Sequence, residues 1–138
     1  NEDISYIAYN QSQVRQGDGY CGSYEIEVLK RGLYEISLRR WPIEEDRRLC
    51  DGIEETTEGW RSVVILKERE LYFGGVALNF DSAELRIGEN LWSKSIDTGA
   101  KSVEFEVELK AQQTLMSTVF KGKDLFKGAY YTYVRLLK

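Results

Sequence analysis

Histidine is absent from all 138 residues of this chain, and that absence removes several chemistries at once. A Ser-His-Asp or Cys-His arrangement needs an imidazole to take and return a proton, and the common zinc sites need it as a ligand. Cysteine is scarce too. Cys21 and Cys50 alone cannot complete a four-thiolate site. They could pair in an oxidising compartment or stay free, and their spacing does not choose between the two. Proline occurs once, at Pro42, and no glycine-rich phosphate cradle of the G-x-x-x-x-G-K type is present. No apolar run approaches the roughly 18 residues that cross a bilayer, and the N-terminus has no basic stretch followed by an apolar signal region. No membrane partner is expected. Nor is a nucleic acid, because a net charge of −4 leaves no surplus of Lys and Arg to neutralise phosphates. The chain begins Asn1-Glu2-Asp3 without an initiator methionine, which reads as a piece cut from a longer protein.

What is present suits one folded domain over 1–138. Hydrophobic residues make up 42% and aromatics 12%, enough for a full core at this length. The dominant pattern has period two, which sends successive side chains to opposite faces of a strand. In Ser23-Tyr24-Glu25-Ile26-Glu27-Val28 the apolar face is Tyr24, Ile26 and Val28. In Leu33-Tyr34-Glu35-Ile36-Ser37-Leu38 it is Tyr34, Ile36 and Leu38. The short spacer predicts a β-hairpin, with Gly32 supplying a positive φ in the turn. Further strands are predicted at 83–87, closed by Gly88, and at 102–109, 115–120 and 129–137, with a short candidate at 76–80. The 60–73 stretch reads as a strand with a loop, and the acid-rich 44–58 stretch as a solvated loop. Short strands between Gly, Asp and Asn turns, without long helical periodicity, predict an all-β fold. The architecture expected is an antiparallel two-sheet β-sandwich, jelly-roll-like.

Carboxylates are abundant, and a pair of them can hydrolyse a glycosidic bond. Glu25, Glu27, Glu104, Glu106 and Glu108 alternate with core positions, however, which is how a strand keeps one face in water. No catalytic residue is assigned.

Three ordered blocks carry a family resemblance. The first is Asn10-Gln11-Ser12-Gln13-Val14-Arg15-Gln16-Gly17. The second is Gly22-Ser23-Tyr24-Glu25-Ile26-Glu27-Val28 with Gly32-Leu33-Tyr34-Glu35-Ile36-Ser37-Leu38-Arg39-Arg40-Trp41-Pro42. The third is Ala83-Glu84-Leu85-Arg86-Ile87-Gly88, then the Phe105 strand, then Gly128-Ala129-Tyr130-Tyr131-Thr132-Tyr133-Val134-Arg135. Together they resemble the C-terminal domain that follows the catalytic domain of bacterial arylsulfatase-type sulfatases, over nearly the whole chain. Ser23, where that family often has an aromatic residue, and the acidic 44–58 stretch depart from the pattern.

The resemblance implies a non-catalytic accessory domain whose parent is a sulfuric ester hydrolase. The family's formylglycine and its divalent metal, such as calcium, belong to a catalytic domain marked by a C/S-x-P-x-R signature. That signature does not occur in this chain. No cofactor is therefore expected here. The implied partner is the catalytic domain of the same polypeptide, with sulfated carbohydrate as a further ligand, in the periplasm or outside the cell.

Candidate docking or substrate-wall residues are Asn10, Gln11, Arg15, Arg39, Arg40 and Trp41. Arg suits such a surface because its planar fork grips carboxylate or sulfate through two hydrogen bonds. The bland alternative places Arg40 at the sandwich rim against a carboxylate and Trp41 over the core edge. Alternation sets Arg39 and Trp41 opposite Arg40, so Trp41 is expected on the docking side. Trp41→Ala should then change the isolated domain by less than about 1 kcal/mol. Tyr130, Tyr131 and Tyr133 are expected to pack at core and rim. A second functional reading is a free-standing carbohydrate-binding module that uses Trp41, Trp60 or Trp92 as a stacking platform.

Overall fold

The computed structural model describes residues 11–19, 21–55 and 74–138. Asn10, Trp60 and the strand expected over 60–73 lie outside them. The described chain is an all-β sandwich of two antiparallel sheets with one short helix, α1 (Gln11–Gln16). The strands are β1 (Ser23–Val28), β2 (Gly32–Arg39), β3 (Ser82–Ile87), β4 (Asn90–Ser95), β5 (Val103–Leu109), β6 (Gln112–Gly122), β7 (Leu125–Lys127) and β8 (Tyr131–Leu136). One sheet runs β1-β6-β3-β4, with β7 against the C-terminal end of β6, and the other runs β5-β2-β8. Only β3–β4 and β6–β7 are hairpins between neighbours in sequence; the other successive described strands lie in opposite sheets. That is the sheet-switching path of a jelly-roll-like sandwich.

The hairpin expected between β1 and β2 is therefore corrected. β1 pairs with β6, Ile26 opposite Thr114, while β2 pairs with β5 and β8, Ile36 opposite Phe105 and Val134. Two strands that face each other across a core show the same alternation as two strands side by side, so the pattern could not distinguish them. Gly32 also has another role than the one expected, since its φ is not positive. A Cβ there would overlap the carbonyl oxygen of Lys138. The glycine lets the end of the chain lie against the start of β2, where Leu33 N–H donates to Lys138 O at 3.1 Å.

Between the sheets lies one cluster that includes Ile36 and Leu38 of β2, Leu85 of β3, Phe105 of β5 and Phe120 of β6, each no more than 2% exposed. Burying each such side chain contributes about 1.5–3 kcal/mol. Phe80 packs on Phe120 with centroids 5.2 Å apart. The 76–80 stretch supplies this aromatic and Leu78 to the core without forming a strand, which corrects the short strand expected there. The acid-rich loop is corrected in its described part too. Leu49 is fully buried and its N–H donates to Ala100 O at 2.9 Å, so this loop closes one end of the core. Tyr24, expected inside, is 46% exposed because β1 is an edge strand.

The polar faces follow the alternation. Glu104, Glu106 and Glu108 point to solvent from β5 between buried Val103, Phe105, Val107 and Leu109. Lys94, on the edge strand β4, instead places its Nζ 2.5 Å from Glu104 O and 5.4 Å from the Phe105 ring centroid. An inward lysine of this kind ties the two sheets together at their rim and blunts an exposed edge. Cys21 and Cys50 are both free thiols.

Two glycines provide a test of this packing. A Cβ at Gly122 would overlap Asn79 O, whereas at Gly99 it would meet no described atom within 4 Å. Gly122→Ala should cost about 1–3 kcal/mol as an overpacked site, and Gly99→Ala should stay within about 0.5 kcal/mol. Urea denaturation of the two variants side by side checks this, and equal midpoints would contradict the close approach.

Candidate functional site

The helix at the N-terminal end of the described chain is too short to be stable alone, and its end shows how it is held. Gly17, at φ +71°, ends α1 in a Schellman turn: Asp18 N–H donates to Gln13 O at 2.8 Å and Gly17 N–H to Val14 O at 3.2 Å. The last carbonyls of a helix lack partners inside it. Here Arg15 O accepts from Val76 N–H at 2.8 Å, and the guanidinium of Arg40 supplies the rest.

Arg40 is fully buried. Its Nη2 lies 2.7 Å from Val76 O, 3.2 Å from Arg15 O and 3.4 Å from Val14 O, and its Nη1 donates to Asp51 O at 3.0 Å. The carbonyls at the C-terminal end of α1 are the negative pole of the helix, a favourable place for a cation. Trp41 is 1% exposed, lies 4.7 Å from the Arg40 guanidinium carbon at its ring centroid, and donates from Nε1 to Asp51 O at 3.1 Å. Burial pushes the Arg40 pKa down to about 10, against the raising influence of Tyr130, Cys50 and Asp51.

This geometry corrects the expected roles of the candidate residues. Arg40 sits in the interior on backbone carbonyls instead of at a rim against a carboxylate. Trp41 is buried beside it and offers no exposed aromatic for docking. Strand pairing of β2 stops at Arg39, so the alternation that placed Arg40 and Trp41 on opposite sides no longer applies. Arg39 is 9% exposed and donates from Nε to Trp41 O at 3.1 Å, and Arg15 is 8% exposed. Gln11 starts α1 and its Nε2 donates to the Tyr131 hydroxyl at 2.6 Å. Gln11, Arg15, Arg39, Arg40 and Trp41 thus gather at one end of the sandwich, tied inward.

The tyrosines complete that end. Tyr130 donates to Asp18 O at 2.7 Å, and the Tyr133 hydroxyl accepts from Ile43 N–H at 3.3 Å. Of the expected stacking platforms, Trp41 is buried and Trp92 is half-buried against the core, so neither presents an open ring face. Among the described residues no group of three or more His, Cys, Asp and Glu is placed to hold a metal ion.

A second region escaped the sequence reading because it depends on strands that were not predicted, β4 and β7. On the outer face of the five-stranded sheet, one row crosses β1, β6, β3 and β4 as Ser23, Ser117, Arg86 and Leu91. A shallow groove of about 470 Å³ follows this row and extends to Phe126 on β7. The parity of Arg86 between buried Leu85 and Ile87 was the one available signal for it.

No family model, curated protein or solved structure matches the chain.

Two outcomes are expected at the buried end. Trp41→Ala should destabilise the isolated domain by about 3–5 kcal/mol, as buried aromatic truncations do. Arg40→Lys should also be clearly destabilising, because an ammonium cannot reproduce the guanidinium fork and buried carbonyls lose partners at about 1–3 kcal/mol each. Thermal and urea unfolding check both. The Tyr130 pKa is pushed up to about 12, first by burial, with Arg40 opposing. Its folded value lies above the ordinary 10, so its contribution is complete below pH 10 and is lost as pH rises toward 12. Tyr130→Phe should flatten that part of the decline in unfolding free energy measured between pH 9.5 and 11.5.

Proposed function

We propose that this chain is the non-catalytic C-terminal accessory domain of a bacterial sulfatase, periplasmic or secreted, and that it packs on the catalytic domain of the same polypeptide. The observation that carries the reading is convergence. The Gln11–Arg15 block, the Arg39-Arg40-Trp41 block and the Tyr130-Tyr131-Tyr133 block are distant in sequence, and they meet where Arg40 donates to Arg15 O and Gln11 donates to the Tyr131 hydroxyl. Residues distant in sequence that build one structural junction suit an accessory fold better than a catalytic centre. On this reading the formylglycine and the divalent metal belong to the catalytic domain, and the present chain supplies neither.

The burial of Trp41 moves the docking surface to what is left exposed at this end. Ser12 and Gln16 are exposed on α1, and Ile43 is 53% exposed on the 3-10 turn Ile43–Glu45 that follows Pro42. An apolar residue on a polar rim is a suitable small anchor for a domain interface.

The decisive experiment is to sequence the DNA immediately upstream of the Asn1 codon. The expected result is a continuous reading frame that encodes a C/S-x-P-x-R signature and the carboxylates of a metal site. An upstream frame without that signature overturns the reading.

A further inference from the structure

The outer groove of the five-stranded sheet joins an exposed cation to apolar walls. The chain carries a net charge of −4, yet the groove holds an uncompensated cation. Arg86 is exposed in the middle of the row, and no described residue pairs with its guanidinium. The nearest carboxylate along β3 on the same face, Glu84, is already held by Lys121 at 2.6 Å. Lys121 and Lys127 both lie close enough to Cys21, which lines the groove, to oppose the rise that burial imposes on its thiol pKa. The local excess is therefore basic.

The floor and walls differ in kind. Beside Arg86 the floor is made by the hydroxyl side chains of Ser117 and Ser23, which leave room above the sheet. The walls are apolar: Leu91 is 48% exposed at one side and Phe126 is 56% exposed at the other end. The Lys121 ammonium stands 5.6 Å from the Phe126 ring centroid, so the ion pair with Glu84 also steadies the ring. Side chains on one face of a strand repeat about every 6.8 Å, and Ser117 and Lys121 are four residues apart. Phe126, opposite Lys121, thus lies about 14 Å along the groove from the Arg86 row. A volume of about 470 Å³ is in the range of small-ligand sites.

We propose that this groove binds an acidic saccharide, with Arg86 taking the sugar's carboxylate or sulfate group, Ser23 and Ser117 meeting its hydroxyls, and Leu91 and Phe126 packing on its C–H faces. An oxyanion alone would use Arg86 but leave the apolar walls idle, and an apolar ligand would leave the guanidinium unpaired. A hydroxylated ring with one acidic group uses every part. Glu25, on the same face of β1 and opposite Leu115, limits the anion to the Arg86–Lys121 side by repulsion. The inference does not depend on the accessory-domain reading, because it uses none of the residues on which that reading rests.

The test is an amide NMR titration of the full chain with three probes: a galacturonate tetrasaccharide, a sulfated galactan tetrasaccharide and neutral cellotetraose. Binding of at least one acidic probe at millimolar concentration is expected, with shifts centred on Ser23, Arg86, Leu91, Ser117 and Phe126. Comparing the two acidic probes identifies the carboxylate or the sulfate as the recognised group. Cellotetraose should bind at least tenfold more weakly. Arg86→Gln should weaken the acidic probe at least tenfold, and Phe126→Ala should weaken it severalfold. Both side chains are exposed, and well-dispersed amide spectra will establish that the variants fold. No shift with either acidic probe, shifts centred elsewhere, equal binding of cellotetraose, or full affinity in Arg86→Gln would each overturn the proposal. Failure here leaves the upstream reading-frame result unaffected, so the two readings fail separately.

Discussion

A guanidinium taken out of water without a carboxylate must be held by dipoles, and Arg40 is held by the carbonyls of Val14, Arg15, Asp51 and Val76. Those groups belong to α1, to the loop after Trp41 and to the 76–80 stretch. None of these segments belongs to a strand ladder; the loop and the 76–80 stretch share the Ile53–Gly75 bridge and the bond from Leu78 N–H to Cys50 O. Desolvating the cation is costly, and removing a partner from such a site costs more than the pair is worth in isolation. Each segment is consequently fixed by the same group, and Trp41 stacks on it and shares Asp51 O. The helix ends where Arg40 meets its carbonyls. Leu49 and Leu78, carried by the neighbouring stretches, can then close the end of the core.

The outer faces of the two sheets differ from this junction in chemistry. The three-stranded sheet turns Glu104, Glu106 and Glu108 outward, a face that repels anions. The five-stranded sheet exposes Arg86 between serines and apolar walls. One chain with a net negative charge therefore carries a local cation, Arg86, on one sheet face and a row of carboxylates on the other.

Much of the fold was legible residue by residue. Ile36, Leu38, Leu85, Phe105 and Phe120 sit in the core as their parity demands, since a period-two pattern and a half-buried strand are the same physical fact. β4 was not legible. Asn90–Ser95 is an exposed edge strand whose Leu91 faces outward and whose Lys94 reaches inward, which breaks the usual pattern. β7 is three residues long, too short to show periodicity. Gln11, Arg15, Arg39, Arg40 and Trp41 lie at one end of the sandwich, but the direction in which they point was not legible. Sequence alternation holds only while a strand continues, and β2 ends at Arg39.

The sequence by itself determined the class of the protein: absent histidine excluded imidazole chemistry, and alternating apolar residues demanded sheets with one wet face. Those are local or compositional properties, and they survive any arrangement of the strands. Only the tertiary structure decided that β1 and β2 oppose each other across the core, that Arg40 and Trp41 point inward, and that Ser23, Arg86 and Phe126 share a groove. Each of these depends on pairings between residues far apart in the chain. The short-range pattern is compatible with several such pairings, and packing selects one.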